Sequence, residues 1–370
     1  MGTIVLYTSG NLRLTKITGG VRRFLELLNE LPNHEKVILM SGDEEYPVGK
    51  NCKHISMHQS KKYNKEFYYA IHNLPYLRKL KKQSYDTIIV FDVPPAIWLA
   101  LFRIPRITLM LRKDLIEYEK IRLSDEKVSD FKKNIKLAAL KIAETITISH
   151  AERIIVQCNF DKDNLLKRHP FIRKNIKKKI KVQINNVNPS WAKATDPGSK
   201  VNNDQFTVAT VSDFSNTRKG FDIFLEAVAS LIDDGLEIRG LLAGDGKLLK
   251  EYQKKYEKYK DIQFYGRISD PSMFISKVDL AVVPSKADSC PNTIMEALYN
   301  HVPVIGARAG GIPEILNNND ALFDLNGKSL KQKIELYMND QNREKLRLMQ
   351  KDRTDELEFD WVRKIYELLQ

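Results

Sequence analysis

Cysteine is scarce: Cys52, Cys158 and Cys290 are the only three in 370 residues. Their odd number and scattered placement exclude a disulfide framework and a zinc-ligand spacing, and point to a reducing, cytoplasmic setting. Long apolar runs are absent too, and none approaches the roughly 18–20 residues of a membrane-spanning helix. Met1 leads almost directly into TIVLYT, which is too short and too strand-like for a secretory leader. The seven histidines show no ligand spacing, and no Ser-His-Asp set is visible. GDEEYPVGKN (42–51) is spaced wrongly for a P-loop and ends on Asn51 where a hydroxyl residue is needed. GDGKLL (244–249) lacks the third glycine of a dinucleotide fingerprint. DKD at 161–163 mimics a metal-binding D-x-D, but it opens an amphipathic stretch and reads as a helix cap with solvated charges.

What is present is a soluble composition, 42% hydrophobic and 29% charged, in a chain long enough for two cores. The net charge of +13 is unevenly spread. Residues 1–190 carry 35 Lys and Arg against 19 Asp and Glu, a net of +16, and the rest carries 25 against 28, a net of −3. An anionic partner, membrane or polyanion, therefore meets the first half. KKYNKEFYYAIHNLPYLRKLKK (61–82) and RKNIKKKIK (173–181) interleave basic with apolar residues, a pattern suited to an anionic membrane surface. A solvated helix face is the plainer alternative.

Apolar β-branched runs recur at 3–8, 36–40, 87–91, 106–111, 153–157 and 181–184, with amphipathic stretches between them. The rhythm restarts at 206–211, 238–243, 262–266, 280–285 and 302–307. Strand-helix alternation of this kind predicts α/β architecture, two doubly wound Rossmann-like domains with parallel sheets, facing a central cleft. The Asn-, Pro-, Gly- and Ser-rich stretch 185–204 is the expected linker, and Trp191 is expected to pack it. The expected domains are 1–190 and 205–355, with 356–370 as a closing helix.

Three strand-to-helix junctions carry candidate chemistry. Gly19 and Gly20 open the first helix, where paired glycines let the backbone approach a phosphate; a plain helix start is the alternative. Arg218 and Lys219 precede Gly220 at a second helix start, where two cations oppose the dipole unless an anion binds. An exposed basic loop is the alternative there. In PSKADSCPNTIMEAL (284–298), Asp288 precedes a Ser289-Cys290-Pro291 turn, with Pro291 suited to the first helical turn. Asn292 and Thr293 offer first-turn amides, and Glu296 follows one turn on. A diphosphate joined to a sugar at each end satisfies all three junctions, which describes a nucleotide sugar. Asp92, ending a strand in FDVPPA, is expected to cap a helix or to touch acceptor.

The ordered set RKGFDIFLEAV, LLAGDG, IQFYGRISD and PSKADSCPNTIMEALYNHVPVIGARAGGIPEIL resembles the signature of retaining GT-B glycosyltransferases of family 4, strongly over 206–316 and loosely over 30–200. GGVRRFLELL matches that family's N-terminal glycine loop, and FDWVRKIYELL (359–369) resembles the helix that crosses back to the first domain. The resemblance implies that Glu296 holds the ribose and Asp288 contacts hydroxyls of the transferred sugar. Arg218 and Lys219 would hold the diphosphate with Gly19, Gly20 and the amides of Asn292 and Thr293. Ser289 and Cys290 belong to the same donor turn, and Arg267 and Ile268 would flank the base.

The chain departs from the family at three places. The first acid of the signature is Asp288 rather than Glu; Ser212-Asp213 replaces the usual Gly-Arg, with Arg218 as the substitute cation; and LMLRKDLIEY puts Arg112 or Lys113 where a histidine is common. Arg112 would then steady the leaving phosphate, or else form a structural ion pair with Asp114 or Glu117. The expected activity is hexosyl transfer with retention, from a UDP- or GDP-sugar to a glycan or lipid-linked oligosaccharide in surface polysaccharide synthesis. No metal or other cofactor is expected, and the enzyme would sit on the inner face of the plasma membrane. The rival readings are a sugar-nucleotide epimerase or phosphorylase of the same fold and a nucleic-acid-binding protein; the latter leaves Asp288 and Glu296 idle.

Overall fold

The structure, a computed structural model, describes residues 3–8, 12, 19–32, 35–47, 49, 51–57, 72–126, 128–188, 205–211 and 213–370. Residues 61–71 of segment 61–82, Trp191, Ser212 and the greater part of the expected linker lie outside these residues. The chain forms two compact units. The first comprises residues 1–116, 129–183 and 360–370, and the second residues 117–128 and 184–359.

The first unit is built on a seven-stranded sheet: β1 (Thr3–Tyr7), β2 (Lys36–Ser41), β3 (Cys52–Ser56), β4 (Thr87–Phe91), β5 (Ile107–Leu111), β6 (Arg153–Val156) and β7 (Ile180–Val182). Their order is β3-β2-β1-β4-β5-β6-β7, and every pairing is parallel. β4 and β5 are buried along their whole length, which is why TIIVF and ITLML read as unbroken apolar runs. β3, CKHIS, is an edge strand with no fully buried residue, so it carries no such run and escapes detection by apolarity.

The closing helix Trp361–Leu369 belongs to this first unit. It buries Trp361, Val362, Ile365 and Leu369, a helical spacing, while Tyr366 donates to Glu35 Oε1 at 2.6 Å. The DKD stretch departs from its sequence reading. Asp161 lies inside the first turn of the helix Asn159–Arg168 and is buried, because that face packs inward; Cys158 occupies the cap position and Asp163 is exposed.

The second unit is built on β8 (Phe206–Val211), β9 (Ile238–Ala243), β10 (Ile262–Gly266), β11 (Leu280–Val283), β12 (Val304–Ala307) and β13 (Leu322–Phe323). These form an all-parallel sheet in the order β10-β9-β8-β11-β12-β13. β13 has two residues at the sheet edge, too short to show a period. The described start of the expected linker is not a loose tether. Asn185, Asn186, Val187 and Asn188 are buried; Val187 N donates to Leu357 O at 2.9 Å and Asn186 Nδ2 to Phe359 O at 2.6 Å.

Strand order locates the sites. In an open parallel sheet, ligands bind beyond the carboxyl ends of the two strands where the winding direction reverses. In the second unit those strands are β8 and β11; in the first they are β1 and β4.

Candidate functional site

Beyond β8 the chain forms a short 3-10 turn, Thr217–Lys219, followed by the helix Phe221–Asp233. Asn216 caps the turn by accepting from Arg218 N at 3.1 Å. Gly220 joins turn to helix at φ +69°, and a Cβ there would lie 1.8 Å from Pro284 O. Only glycine allows both that left-handed backbone and that contact.

The loop beyond β11 locks onto this turn. Lys286 N donates to Arg218 O at 2.8 Å, and Arg218 Nη1 donates to Ala287 O at 2.8 Å. Lys219 Nζ forms an ion pair with Asp288 Oδ2, while Arg218 Nη1 lies 3.7 Å from the same oxygen. Arg218 also lies over the Tyr118 ring at 5.0 Å, and its Nε is buried without a hydrogen-bond partner among the described residues. Asp125 accepts from both Thr217 N (2.6 Å) and Thr217 Oγ1 (3.0 Å).

A third loop, beyond β12, closes on the second. Gly310 has φ +58° and would place a Cβ 2.3 Å from Asp288 O, and Gly311 N donates to that oxygen at 2.9 Å. The glycine pair of ARAGGIPEIL thus lets one backbone pass against another.

Electrostatics at this point favour an anion. Burial disfavours ionisation of Asp288, but Lys219 and Arg218, with a hydrogen bond from the Cys290 backbone, outweigh it and hold the carboxyl below its ordinary value. One carboxylate faces two cations, leaving a positive surplus, with an orphaned Arg218 N–H beside it. The helix Asn292–Tyr299 begins three residues after Ser289 and adds its first-turn amides. Pro291 sits at the cap position of that helix rather than within its first turn, because its ψ of 124° is extended.

Ser289 is buried, and the Cys290 side chain belongs to the hydrophobic core, so Cys290 reaches the site through its backbone. Glu296 is buried, 3% exposed, one turn inside the helix. Arg267 is exposed and Ile268 half-buried on the loop after β10, on the β9–β10 side of the sheet from the β8–β11 crevice.

Gly19, Gly20 and Arg112 belong to the first unit. The two glycines open the helix Gly19–Glu30 that follows β1. Arg112 directly follows β5, and its partner is neither Asp114 nor Glu117 but Asp92. It donates to that carboxylate from its backbone N and Nε at 3.0 Å and from Nη2 at 2.5 Å. Asp114 is taken by Arg168 and Glu117 by Lys120. Asp92 occupies the cap position of the helix Val93–Leu101 but its carboxylate makes no capping bond, being turned to Arg112. Its backbone, φ 65° and ψ 166°, lies in a region otherwise left to glycine, at the β4 end of the first unit's winding reversal.

Asn216, Tyr118 and Asp125 were not legible as site residues. Tyr118 and Asp125 lie about a hundred positions before Arg218 and reach it only because segment 117–128 packs in the second unit.

Two parallel-sheet Rossmann-like domains make up the GT-B fold. Sucrose-phosphate synthase from Thermosynechococcus elongatus superposes with a TM-score of 0.77 at 15% identity, over 99% of this chain and 97% of that one. HepE from Anabaena in complex with UDP-glucose gives 0.72 at 16% identity, over 99% and 97%. Residues 205–340 match the family described as Glycosyl transferases group 1. That segment contains Arg218, Lys219, Asp288 and Glu296. An uncharacterized glycosyltransferase of Methanocaldococcus jannaschii is 32% identical over 166 residues, 41% of this chain and 45% of its own length. The chain thus spans less than half of that curated relative.

Proposed function

We propose that the chain is a retaining hexosyltransferase of family 4. It would move a sugar from a nucleoside-diphosphate sugar, UDP- or GDP-linked, to a glycan or lipid-linked oligosaccharide in surface polysaccharide assembly. The observation that carries the reading is the convergence of Arg218, Lys219 and Asp288 at the β8–β11 winding reversal, within the segment that matches group 1 glycosyl transferases. A relative of the same fold is described in complex with UDP-glucose, which supports the donor class.

In this reading Arg218 and Lys219 meet the diphosphate, helped by the Asn292 and Thr293 amides, and the family resemblance assigns Gly19 and Gly20 to the same group. Glu296 accepts from the ribose, Asp288 from hydroxyls of the transferred sugar, and Arg267 and Ile268 flank the base. Ser289 and the Cys290 backbone shape the turn. The bond from the anomeric carbon to the β-phosphate oxygen breaks as the acceptor oxygen bonds to that carbon on the same face. The acceptor proton passes to the leaving phosphate. Because fixed cations and helix amides meet the developing charge, the reaction needs no metal. Arg112, fixed by Asp92, is assigned to the leaving phosphate. The basic first half holds the enzyme at an anionic membrane surface, on the cytoplasmic side.

Calorimetry with UDP-, GDP-, dTDP- and CMP-sugars tests the donor. One nucleotide class should bind at micromolar Kd and be lost in Glu296→Gln and Lys219→Ala, both folded. Transfer should persist in EDTA, and the product should keep the donor's anomeric configuration by NMR. Binding to none of the four by folded wild-type protein would overturn the donor assignment.

A further inference from the structure

The helix Asp130–His150 in the first unit has two faces that do different things. Glu144, Thr147 and Ile148 are buried, and Glu144 is engaged by Arg168 at 2.8 Å and His169 at 2.7 Å. On the other side, Phe131 (75% exposed), Ile135 (54%), Ile142 (61%) and Ile146 (37%) stand in solvent with Ala138 and Ala139. At roughly 100° per residue these six fall within an arc of about 100°, which makes one continuous stripe along the helix. A helix that already buries a face against the helices Val93–Leu101 and Arg173–Lys177 needs no second apolar face for folding, so this stripe is surplus to stability.

The borders of the stripe identify what it meets. Exposed Lys132 and Lys136 lie along one side and exposed Lys141 along the other. The acids of this helix are Glu144, buried and paired, and Asp130, which lies 3.4 Å from Lys133. Two copies brought stripe to stripe would oppose lysine to lysine, whereas an anionic surface meets lysines on both flanks. The short helix Arg173–Lys177 packs against the same long helix, and around it Phe171, Arg173, Lys174, Lys177 and Lys178 are all exposed. No helix among the described residues is long and apolar enough to cross a membrane, and a helix of about 30 Å with this pattern suits the interface plane instead.

We infer that the Phe131–Ile146 stripe is the surface by which this protein docks on an anionic lipid bilayer, with the stripe in the headgroup–acyl boundary and the lysines on anionic headgroups. This deepens the membrane part of the function proposed above and is independent of its transfer chemistry. The sequence reading looked for that contact in segments 61–82 and 173–181; the second lies beside this long helix, and residues 61–71 of the first lie outside the described residues.

Vesicle co-flotation of the full chain, without nucleotide or acceptor, tests the inference. Phosphatidylcholine vesicles containing phosphatidylglycerol should bind it, and pure phosphatidylcholine vesicles at least tenfold less. Ile135→Gln/Ile142→Gln, exposed positions changed to a good helix former, should weaken binding at least tenfold with circular dichroism and melting temperature unchanged. Lys132→Gln/Lys141→Gln should reduce both the binding and its salt dependence. If wild type binds and the isoleucine variant binds equally well, the stripe is not the docking face, although the membrane reading stands. If wild type ignores both vesicle types, face and membrane reading fall together. A concentration-dependent dimer abolished by the isoleucine variant would overturn the inference in favour of a second copy.

Discussion

Gly220 and Asp288 show how single residues set this site. At Gly220 the left-handed backbone and the contact with Pro284 O coincide, so any side chain pushes the β8 and β11 loops apart. Gly220→Ala should lower stability by about 2–4 kcal/mol, read by urea unfolding. A change below about 0.5 kcal/mol would show that the loops part freely. Asp288 titrates below its ordinary value in the folded chain, through Lys219 and Arg218. A depressed folded pKa contributes stability above the unfolded pKa, near pH 4, and loses it as pH falls through the folded value. The stability gap between wild type and Asp288→Asn should therefore be flat from pH 7 to about pH 4.5 and shrink in stronger acid. A gap that instead changes between pH 6 and 8 would assign the titration to another group.

At the scale of elements, three loops from neighbouring strand ends behave as one part. Lys286 N to Arg218 O, Arg218 Nη1 to Ala287 O, and Gly311 N to Asp288 O tie β8, β11 and β12 together beyond their carboxyl ends. Segment 117–128 is the fourth member, through Tyr118 beneath Arg218 and Asp125 at Thr217. Asp125 touches none of the proposed donor groups, so its role is to position. Asp125→Ala should release the turn and raise the donor Kd about tenfold, roughly 1.4 kcal/mol. Asp125→Asn, which keeps an acceptor oxygen, should recover much of that loss. An unchanged Kd in the alanine variant would show that Asn216 alone orders the turn.

At the scale of the molecule, two hydrophobic cores serve two units. Calorimetric unfolding should resolve two transitions, and the donor nucleotide should stabilise the one belonging to the second unit. The shift should reach about 2.7 kcal/mol at a hundred times Kd. Equal stabilisation of both would show that Gly19, Gly20 and Arg112 of the first unit carry as much of the donor affinity as the second unit does. Net charge is concentrated in the half that also carries the exposed apolar stripe, so salt should weaken vesicle binding far more than nucleotide binding.

Sequence alone determined the architecture, because central parallel strands buried on both faces leave unbroken apolar runs such as TIIVF and LAVV. It also brought Arg218, Lys219, Asp288 and Glu296 into view, since two cations at a helix start and two acids around a proline turn are locally anomalous. The edge strands β3 and β13 stayed hidden because half-exposed or two-residue strands have no such pattern. Only the tertiary structure decided the partners. It paired Lys219 with Asp288 across 69 positions, Arg112 with Asp92, and Arg218 with Tyr118. It also left Phe131, Ile135 and Ile142 facing water. Periodicity tells a chain that a face will be apolar; only packing settles what, if anything, covers it.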